Sequence, residues 1–253
     1  MTVPVACTGL LVSGAWLVSA KTFDFCFVGV FPLIQWGMFK DRIDAGLRLA
    51  NLLVEYKNED LIVFGLPRGG VVVAYEVAKV LNAPLDVVVV RKLGLLSDPE
   101  FAIGAVSENG VQVFDNKSIN ESGITKAELT EIVRSQKEEL NRRIKLYRLA
   151  KPLPVLRGKT AILVDDGLAT GLTALAAIKS LKKLKPKKII LAVPVIAYQT
   201  IEKVRSYVDK LVSLLAPNDL EAVGSYYKNF SQVSDGEVIE LLEQNRRRFE
   251  MKT

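Results

Sequence analysis

Short apolar runs alternate with segments of helical spacing over most of this chain, and this alternation constrains its fold more than any other feature. The runs are rich in Val, Ile and Leu, and they predict strands at Leu61–Leu66, Leu85–Val90, Thr160–Val164, Lys188–Pro194 and Lys210–Leu215. Uninterrupted runs of β-branched residues are typical of strands that are covered on both faces of a parallel sheet.

The segments between these strands have apolar residues at helical spacing. They predict helices at Val71–Leu81, Thr173–Leu184, Tyr198–Tyr207 and Asp235–Arg248. The alternation therefore predicts an α/β fold with a mostly parallel central sheet flanked by helices. Ligands of such folds bind beyond the carboxyl ends of the strands, so we expect a site in the loops Leu66–Gly70, Arg91–Gly104 and Asp165–Thr173.

Two more helices are predicted outside this pattern. Residues 38–57 have amphipathic spacing, which predicts a surface helix. Its apolar side is predicted to consist of Ile43, Leu47 and Leu49–Leu53. Thr125 and Glu128 match a capping box, which opens a long charged helix that runs to about Leu149.

The first 37 residues differ in composition from the rest of the chain, since they carry almost no charge. A membrane anchor, a hairpin packed against the core and a translation start at Met38 are three interpretations of this segment. The uncharged run Thr2–Ala20 approaches the length of a membrane span, but glycines interrupt it and no basic residue precedes it. We expect residues 1–37 to form an apolar extension outside the folded domain, which residues 38–253 form.

Composition excludes several kinds of catalytic chemistry. The chain has no histidine, so it cannot build a Ser-His-Asp or Cys-His nucleophile system. Cys7 and Cys26 are its only cysteines, too few for a zinc cluster or a disulfide framework. The net charge of +6 suits either a phosphorylated small molecule or a nucleic acid as partner.

The segment Ile162–Ala174, ILVDDGLATGLTA, combines an apolar strand, two adjacent carboxylates, a short loop and the start of a helix. Backbone amides at a helix N-terminus bind anions, and Gly171 lets the backbone approach a phosphate closely. The carboxylates of Asp165 and Asp166 suit neighbouring sugar hydroxyls or a magnesium ion. The whole pattern predicts a site for ribose 5-phosphate, whereas a lone DDG would indicate no more than a capped turn.

This segment resembles the phosphoribosyl-diphosphate motif of type I phosphoribosyltransferases, in which an apolar strand, two acidic residues and a Thr-Gly-x-Thr phosphate loop follow one another. The resemblance implies that Asp165 and Asp166 bind the ribose hydroxyls and help to hold a metal ion, partly through the ligand. It implies that the 5-phosphate is wrapped by Ala169, Thr170, Gly171, Leu172 and Thr173. It also implies the type I phosphoribosyltransferase fold, with a small hood at about residues 215–230.

A second segment, Leu66-Pro67-Arg68-Gly69-Gly70, resembles the diphosphate loop of the same family. The resemblance implies that Arg68 contacts the leaving diphosphate, while Gly69 and Gly70 supply backbone amides. Taken alone, this sequence is equally typical of an ordinary turn between a strand and a helix. Its position after a predicted strand and upstream of the acidic motif favours the diphosphate loop.

A third pair of candidates, Arg91 and Lys92, stands at the end of the second predicted strand. The resemblance implies that both stabilise the diphosphate charge in the transition state, and that Leu93–Phe101 forms a flexible catalytic lid. Two surface cations at a strand end are the alternative interpretation. Short strands are predicted nearby at Ala102–Val106 and Val111–Phe114.

The segments RKLGLLSDPEFAIGAVSENG and SYYKNFSQVSDGEVIELL are also similar to a family of bacterial and archaeal phosphoribosyltransferases, and the likeness covers Met38–Arg248. It implies an enzyme that transfers a 5-phosphoribosyl group from phosphoribosyl diphosphate to a nitrogenous acceptor, usually a nucleobase, and releases diphosphate. It further implies Mg²⁺ as cofactor, a role in nucleotide salvage, a cytoplasmic location and a homodimer. Neither nucleic acid nor a membrane is expected as a partner.

The acceptor is less well defined than the donor. Enzymes for 6-oxopurines usually carry an Asp at the position of Ala169, so the resemblance argues against hypoxanthine and guanine as acceptors. The aromatic residues of the predicted hood are Tyr226, Tyr227 and Phe230. They either stack on a base or pack against the C-terminal helix.

Two other functions remain open at this point. A non-catalytic regulator of the same fold would sense a phosphoribosyl ligand and bind nucleic acid through Lys182–Lys188 and Arg246–Arg248. A hydrolase or phosphatase would use Asp165 as its nucleophile. The transferase is favoured, because the regulator lacks a recognisable pair of DNA-reading helices and the hydrolase lacks further acidic residues for a metal.

Overall fold

The computed structural model of the chain describes residues 10–12, 15–17, 25–27, 38–99 and 101–250. Most of the predicted extension, residues 1–37, lies outside this part of the chain. Its described residues Phe25–Phe27 pair with Leu211–Ser213 at the edge of the central sheet, whereas the separation of the other residues from the folded domain stays a prediction. Within the described part, no helix combines the length and the apolar composition that a membrane span requires.

The elements are numbered in chain order, and most predicted bounds differ from the observed ones by at most two residues. The strands are β1 (Leu10–Val12), β2 (Ala15–Leu17), β3 (Phe25–Phe27), β4 (Leu61–Gly65), β5 (Leu85–Val87), β6 (Val90–Gly94), β7 (Ala102–Ser107), β8 (Val111–Phe114), β9 (Thr160–Val164), β10 (Lys188–Val195) and β11 (Lys210–Leu215). The helices are α1 (Arg42–Asn51), α2 (Gly69–Leu81), α3 (Asn116–Ser122), α4 (Lys126–Arg148), α5 (Leu172–Lys182), α6 (Tyr198–Arg205) and α7 (Asp235–Glu250).

The central sheet has six parallel strands in the order β3-β11-β10-β9-β4-β5. β4 and β9 lie inside this sheet and are buried along their whole length. Burial on both faces explains why their sequences are uninterrupted apolar runs. The predicted α/β fold with a mostly parallel sheet is thus confirmed. The other described strands form the pair β1-β2 and the antiparallel sheet β6-β7-β8.

Helices cover both faces of the central sheet. On one face, α5 shares a core with β9 through Ile178 and Leu163. On the other face, α1 and α2 share a core with β9 through Leu49, Val77 and Ile162. Ile162 and Leu163 thus project to opposite sides, as successive residues of a strand do. Each such buried side chain contributes about 1.5–3 kcal/mol of hydrophobic stabilisation.

The predicted strand Leu85–Val90 is wrong as a single element, because the chain changes sheets within it. β5 ends at Val87, and β6 begins at Val90 in the antiparallel sheet. Between them, the Val89 amide donates a hydrogen bond to the Glu108 carboxylate at 2.8 Å. Every residue from Val87 to Val90 is buried, so the apolar run contains no local signal for this change.

Helix α1 is shorter than predicted, and its buried side matches the predicted one at Leu49 and Ala50 but not at Ile43 and Leu47. Ile43 and Leu47 are 49% and 42% exposed, although both were expected on the apolar side. The buried residues of α1 are Ala45, Gly46, Leu49 and Ala50. A Cβ on Gly46 would lie 2.9 Å from the Val73 carbonyl oxygen, so α1 approaches α2 through its small residues.

Helix α3 has no counterpart in the prediction. Its sequence, NKSINES, is polar, and none of its residues is buried. It begins after Asp115, whose side chain accepts hydrogen bonds from the amides of Lys117 and Ser118. Capping rather than hydrophobic spacing therefore defines this helix. By contrast, the predicted capping box of Thr125 and Glu128 at the start of α4 is confirmed.

Candidate functional site

Two loops that were predicted to bind ligand, the diphosphate loop and the loop that begins with Asp165 and Asp166, meet at the carboxyl ends of β4 and β9. These strands are neighbours in the sheet, so the segments that follow them leave it side by side. A Cβ on Gly70 would lie 2.8 Å from Asp165 Oδ1, and a Cβ on Gly69 would overlap Asp166 Oδ2. The glycines of the predicted diphosphate loop therefore lie directly against the predicted ribose carboxylates.

Asp165 and Asp166, the acidic pair, influence each other strongly. The Asp166 amide donates to Asp165 Oδ1 at 2.9 Å, and the Asp166 side chain is 16% exposed. Burial raises the pKa of Asp165 well above its ordinary value, and the neighbouring Asp166 charge adds to this. Burial also raises the pKa of Asp166, although the charge of Arg42 opposes the shift. A ligand that brings hydroxyl donors or a cation would stabilise the charged form of the pair.

Arg42, a residue that the sequence did not indicate, is the cation that faces this pair. Its Nε donates to Asp166 Oδ2 at 2.7 Å, and its side chain is 10% exposed. Its Nη1 donates to the Ser231 carbonyl at 2.8 Å, and its guanidinium carbon lies 3.8 Å from the Phe230 ring centroid. An arginine in an amphipathic helix carries no sequence signal of a contact 124 positions away.

The loop after the acidic pair leads directly into the N-terminus of α5. Gly171 has a φ of 76°, a left-handed conformation, and it caps α5. The first N–H groups of a helix have no partner inside the helix, so they can bind an anion. The Thr200 hydroxyl donates to the Ala169 carbonyl and anchors the loop to α6. The structure thus gathers around this one helix start the predicted phosphate-binding residues Ala169, Thr170, Gly171, Leu172 and Thr173.

Arg68 immediately precedes α2, whose first residues are Gly69 and Gly70. The peptide bond between Pro67 and Arg68 is cis. The Arg68 side chain is 39% exposed, and its Nη1 lies 4.0 Å from Asp235 Oδ1 at the start of α7. The N-terminus of α2 therefore faces the acidic pair, with a solvent-accessible guanidinium beside it.

Arg91 and Lys92 lie inside β6 and not at the strand end where they were predicted. Successive side chains of a strand point to opposite faces, so these two cations project to different sides. Arg91 faces α4, where its Nε donates to Gln136 Oε1 at 2.9 Å. Burial lowers the pKa of Arg91, and the charges of Arg143 and Arg68 lower it further. The structure thus groups Arg91 with Arg68, whereas Lys92 points to the other face of β6.

Helix α4 adds two arginines that the sequence did not single out, because their spacing fits an ordinary solvated helix face. Arg143 Nε donates to Glu139 Oε1 at 2.8 Å, and Arg142 Nη2 lies 3.6 Å from Asp235 Oδ2. Beside the diphosphate loop, the arginines outnumber these two carboxylates, so the region carries net positive charge. The arginines are Arg68, Arg91, Arg142 and Arg143.

The predicted lid, Leu93–Phe101, overlaps β6, because Leu93 and Gly94 belong to that strand. Leu93 is fully buried and shares a core with Ile103 of β7. The segment that connects β6 with β7 therefore starts at Leu95, and a lid role for it stays a prediction.

The predicted hood, Leu215–Phe230, contacts the acidic pair through Tyr227. This residue is 4% exposed, and its hydroxyl donates to the Asp166 backbone carbonyl at 2.5 Å. Its ring centroid lies 5.2 Å from that of Phe39 and 4.9 Å from that of Phe230. Tyr227 is therefore packed beside the segment that leads into α1 and is not available to stack on a base.

A metal ion would find two protein carboxylates here, those of the acidic pair. Within the described residues, no group of three or more Cys, Asp or Glu side chains is arranged to hold a metal. Mg²⁺ is commonly bound by one or two carboxylates together with substrate phosphates. The acidic pair therefore fits an ion that arrives with a phosphorylated ligand.

Comparisons with known proteins agree with this geometry. Residues 35–229 match the family model described as the phosphoribosyl transferase domain. A Mycobacterium tuberculosis protein, whose name assigns it provisionally to the phosphoribosyl transferases, is 42% identical over 212 residues, which are 84% of this chain and 48% of that protein. The chain thus spans about half the length of this curated relative.

A solved structure is also similar. The protein TT1426 from Thermus thermophilus matches with a TM-score of 0.67 and 39% sequence identity, over 82% of this chain and 98% of that one. The type I phosphoribosyltransferase fold implied by the sequence motifs is thereby confirmed. Because the family model covers more than half of its length, the chain belongs to the phosphoribosyl transferase domain family.

Proposed function

We propose that the chain transfers a 5-phosphoribosyl group from phosphoribosyl diphosphate to a nitrogenous acceptor and releases diphosphate. The observation that supports this most directly is the contact of Gly69 and Gly70 with the acidic pair. A ribose held by these carboxylates has its diphosphate next to the N-terminus of α2. Its 5-phosphate lies next to the N-terminus of α5.

Each part of the donor has its own partners in this proposal. The acidic pair accepts hydrogen bonds from the ribose hydroxyls. The backbone amides and threonine hydroxyls of Ala169–Thr173 bind the 5-phosphate. The amides of Gly69 and Gly70, together with the guanidinium groups of Arg68 and Arg91, bind the diphosphate. A contact of Lys92, the next residue of β6, with the diphosphate stays a prediction.

The proposed reaction breaks the bond between ribose C1 and the diphosphate oxygen, and the electron pair leaves with diphosphate. The acceptor nitrogen forms a new bond to C1 and gives up its proton to solvent. Positive charge develops on the ribose in the transition state, where the carboxylates of the acidic pair stabilise it. Arg68 and Arg91 stabilise the departing diphosphate. The segment between β6 and β7 excludes water when it closes over the donor.

Mg²⁺ is part of this proposal as a companion of the donor. Bound to the diphosphate, it would reduce the negative charge of the leaving group. Asp165 and Asp166 would hold it, partly through the ribose hydroxyls, since this pair is the oxygen-rich group at the site. The same residues therefore orient both the sugar and the ion.

The proposed acceptor is a nucleobase other than a 6-oxopurine. Ala169 has no carboxylate that could exchange a proton with a purine ring at this position. Phe230 of the hood is 36% exposed and lies over Arg42, which contacts the acidic pair. One aromatic surface therefore reaches solvent near the place where the acceptor must attack C1.

The proposed function is tested with a panel of nucleobases, phosphoribosyl diphosphate and Mg²⁺, with diphosphate release as the readout. Release that depends on one base supports the transferase. Donor binding without release by any base would contradict it and would favour a non-catalytic regulator of the same fold. Absence of donor binding would exclude both functions.

A further inference from the structure

The guanidinium group of Arg42 lies where the acidic pair, the diphosphate loop and the hood meet. Its Nε bonds to Asp166 Oδ2 at 2.7 Å, and its Nη1 bonds to the Ser231 carbonyl at 2.8 Å. A Cβ on Gly69 would lie 2.7 Å from Arg42 Nε, so the group also borders the diphosphate loop. One side chain therefore touches three segments that are far apart in the sequence.

Burial makes Arg42 and Asp166 dependent on each other. Their side chains are 10% and 16% exposed, so water cannot replace the partner if one of them is removed. A buried charge without a partner is costly, so the loss of either side chain disturbs the position of the other. Without Arg42, Asp166 would lie beside Asp165 with no guanidinium to balance its charge.

The hood is attached to the start of the domain by backbone hydrogen bonds. The Phe39 amide donates to the Tyr226 carbonyl at 2.7 Å, and the Lys228 amide donates to the Phe39 carbonyl at 2.8 Å. The contact of Arg42 with the Phe230 ring, at 3.8 Å, extends this attachment to the acidic pair. A movement of the hood would therefore reach the acidic pair through Arg42.

We propose that Arg42 is a positioning residue that orients the Asp166 carboxylate for the ribose hydroxyls and couples this orientation to the acceptor hood. This inference rests on the proposed function, since it assigns Arg42 a role in donor binding. Arg42 acts through Asp166 and does not itself contact the donor. A lysine would keep the charge, but it could not bond to Asp166 and Ser231 while lying flat on Phe230.

The test is calorimetric titration of phosphoribosyl diphosphate with Mg²⁺ into the full chain. Arg42→Gln should weaken donor binding about tenfold or more at neutral pH, the effect of one lost hydrogen bond to a charged group. Arg42→Lys should restore part of this affinity, because it keeps the positive charge beside Asp166 but not all the contacts of the guanidinium group.

Arg48→Gln is the control, because Arg48 lies on the same helix and also pairs with an aspartate near an aromatic ring, although its side chain is more exposed than that of Arg42. Its Nη2 lies 2.7 Å from Asp44 Oδ2, and its guanidinium carbon lies 5.6 Å from the Phe39 ring centroid. Since these contacts do not include the acidic pair, donor affinity should stay at the wild-type value. Phe230→Leu keeps the ion pair and removes the stacked ring, so it should weaken donor binding less than Arg42→Gln.

The outcomes separate this inference from the proposed function. If the wild type binds the donor and Arg42→Gln binds it with the same affinity, the role of Arg42 is overturned and the transferase proposal stands. If Arg42→Gln does not fold, wild-type affinity in both Arg42→Lys and Phe230→Leu overturns the inference. If the wild type binds no donor, the proposed function fails and the inference fails with it.

Discussion

Replacing Gly69 by alanine adds one methyl group where the diphosphate loop touches the acidic pair. The new Cβ would overlap Asp166 Oδ2 and lie 2.7 Å from Arg42 Nε, so the carboxylate must move away from Arg42. A hydrogen bond between charged groups contributes about 1.5–3 kcal/mol. Alanine offsets about 0.5–1 kcal/mol of this loss, because glycine costs more conformational entropy in a helix. The free energy of unfolding should therefore fall by about 0.5–2.5 kcal/mol.

Thermal unfolding and donor titration check the two consequences of Gly69→Ala. The melting temperature should fall by roughly 1–10 °C, at about 2–4 °C per kcal/mol for a domain of this size. Donor affinity should fall by about 10–150-fold, since 1.36 kcal/mol corresponds to a factor of ten. Gly70→Ala should be at least as severe, because its Cβ would lie 2.9 Å from the Asp165 Cα, which cannot rotate away.

Gly236→Ala is the control for the glycine substitutions. The atom nearest to a Cβ on Gly236 is Ser234 Oγ at 3.8 Å, so the methyl group meets no steric hindrance. Donor affinity should be that of the wild type, and stability should be equal or slightly higher. If Gly69→Ala binds the donor with wild-type affinity, the carboxylate beside this loop does not hold the donor, and the proposed ribose site is wrong.

Three further substitutions test other parts of the site. Burial raises the pKa of Asp165 in the folded chain above its pKa in the unfolded chain. The protonated group therefore stabilises the fold at pH values below the unfolded-state pKa, and this contribution is lost as pH rises through the folded-state pKa. Asp165→Asn should therefore unfold at a higher temperature than the wild type at about pH 8 and at a similar temperature at about pH 3. The variant should not bind the donor. A melting temperature below that of the wild type at about pH 8 would contradict this reasoning about Asp165. Thr200→Val removes the buried hydroxyl that donates to the Ala169 carbonyl, so the free energy of unfolding should fall by about 1–3 kcal/mol and ribose 5-phosphate should bind more weakly in a titration. Arg91→Gln should weaken the binding of inorganic diphosphate by about 1.5–3 kcal/mol, and an unchanged dissociation constant would remove Arg91 from the site.

Much of the fold and the core of the site follow from short-range patterns in the sequence. β4 and β9 are apolar runs because both of their faces are buried, and such runs are visible without a structure. The acidic pair and the glycines of the diphosphate loop each follow one of these strands. Since β4 and β9 are parallel neighbours, their following loops meet at the same edge of the sheet.

The features that escaped prediction depend on contacts between distant parts of the chain. Arg42 occupies an ordinary position in an amphipathic helix, and its ion pair joins it to a residue 124 positions away. The change of sheets after Val87 is hidden inside an apolar run, because both sheets bury their strands. Ile43 was assigned to the buried side of α1, yet close packing against α2 selects small residues there.

The structure of the chain bound to phosphoribosyl diphosphate and Mg²⁺ tests the central claim most directly. We expect the 5-phosphate at the backbone amides of Ala169–Thr173 and the ribose hydroxyls within hydrogen-bonding distance of the acidic pair. We also expect the diphosphate at Gly69 and Gly70, beside Arg68. A donor bound in the reverse orientation, or away from the acidic pair, would contradict it.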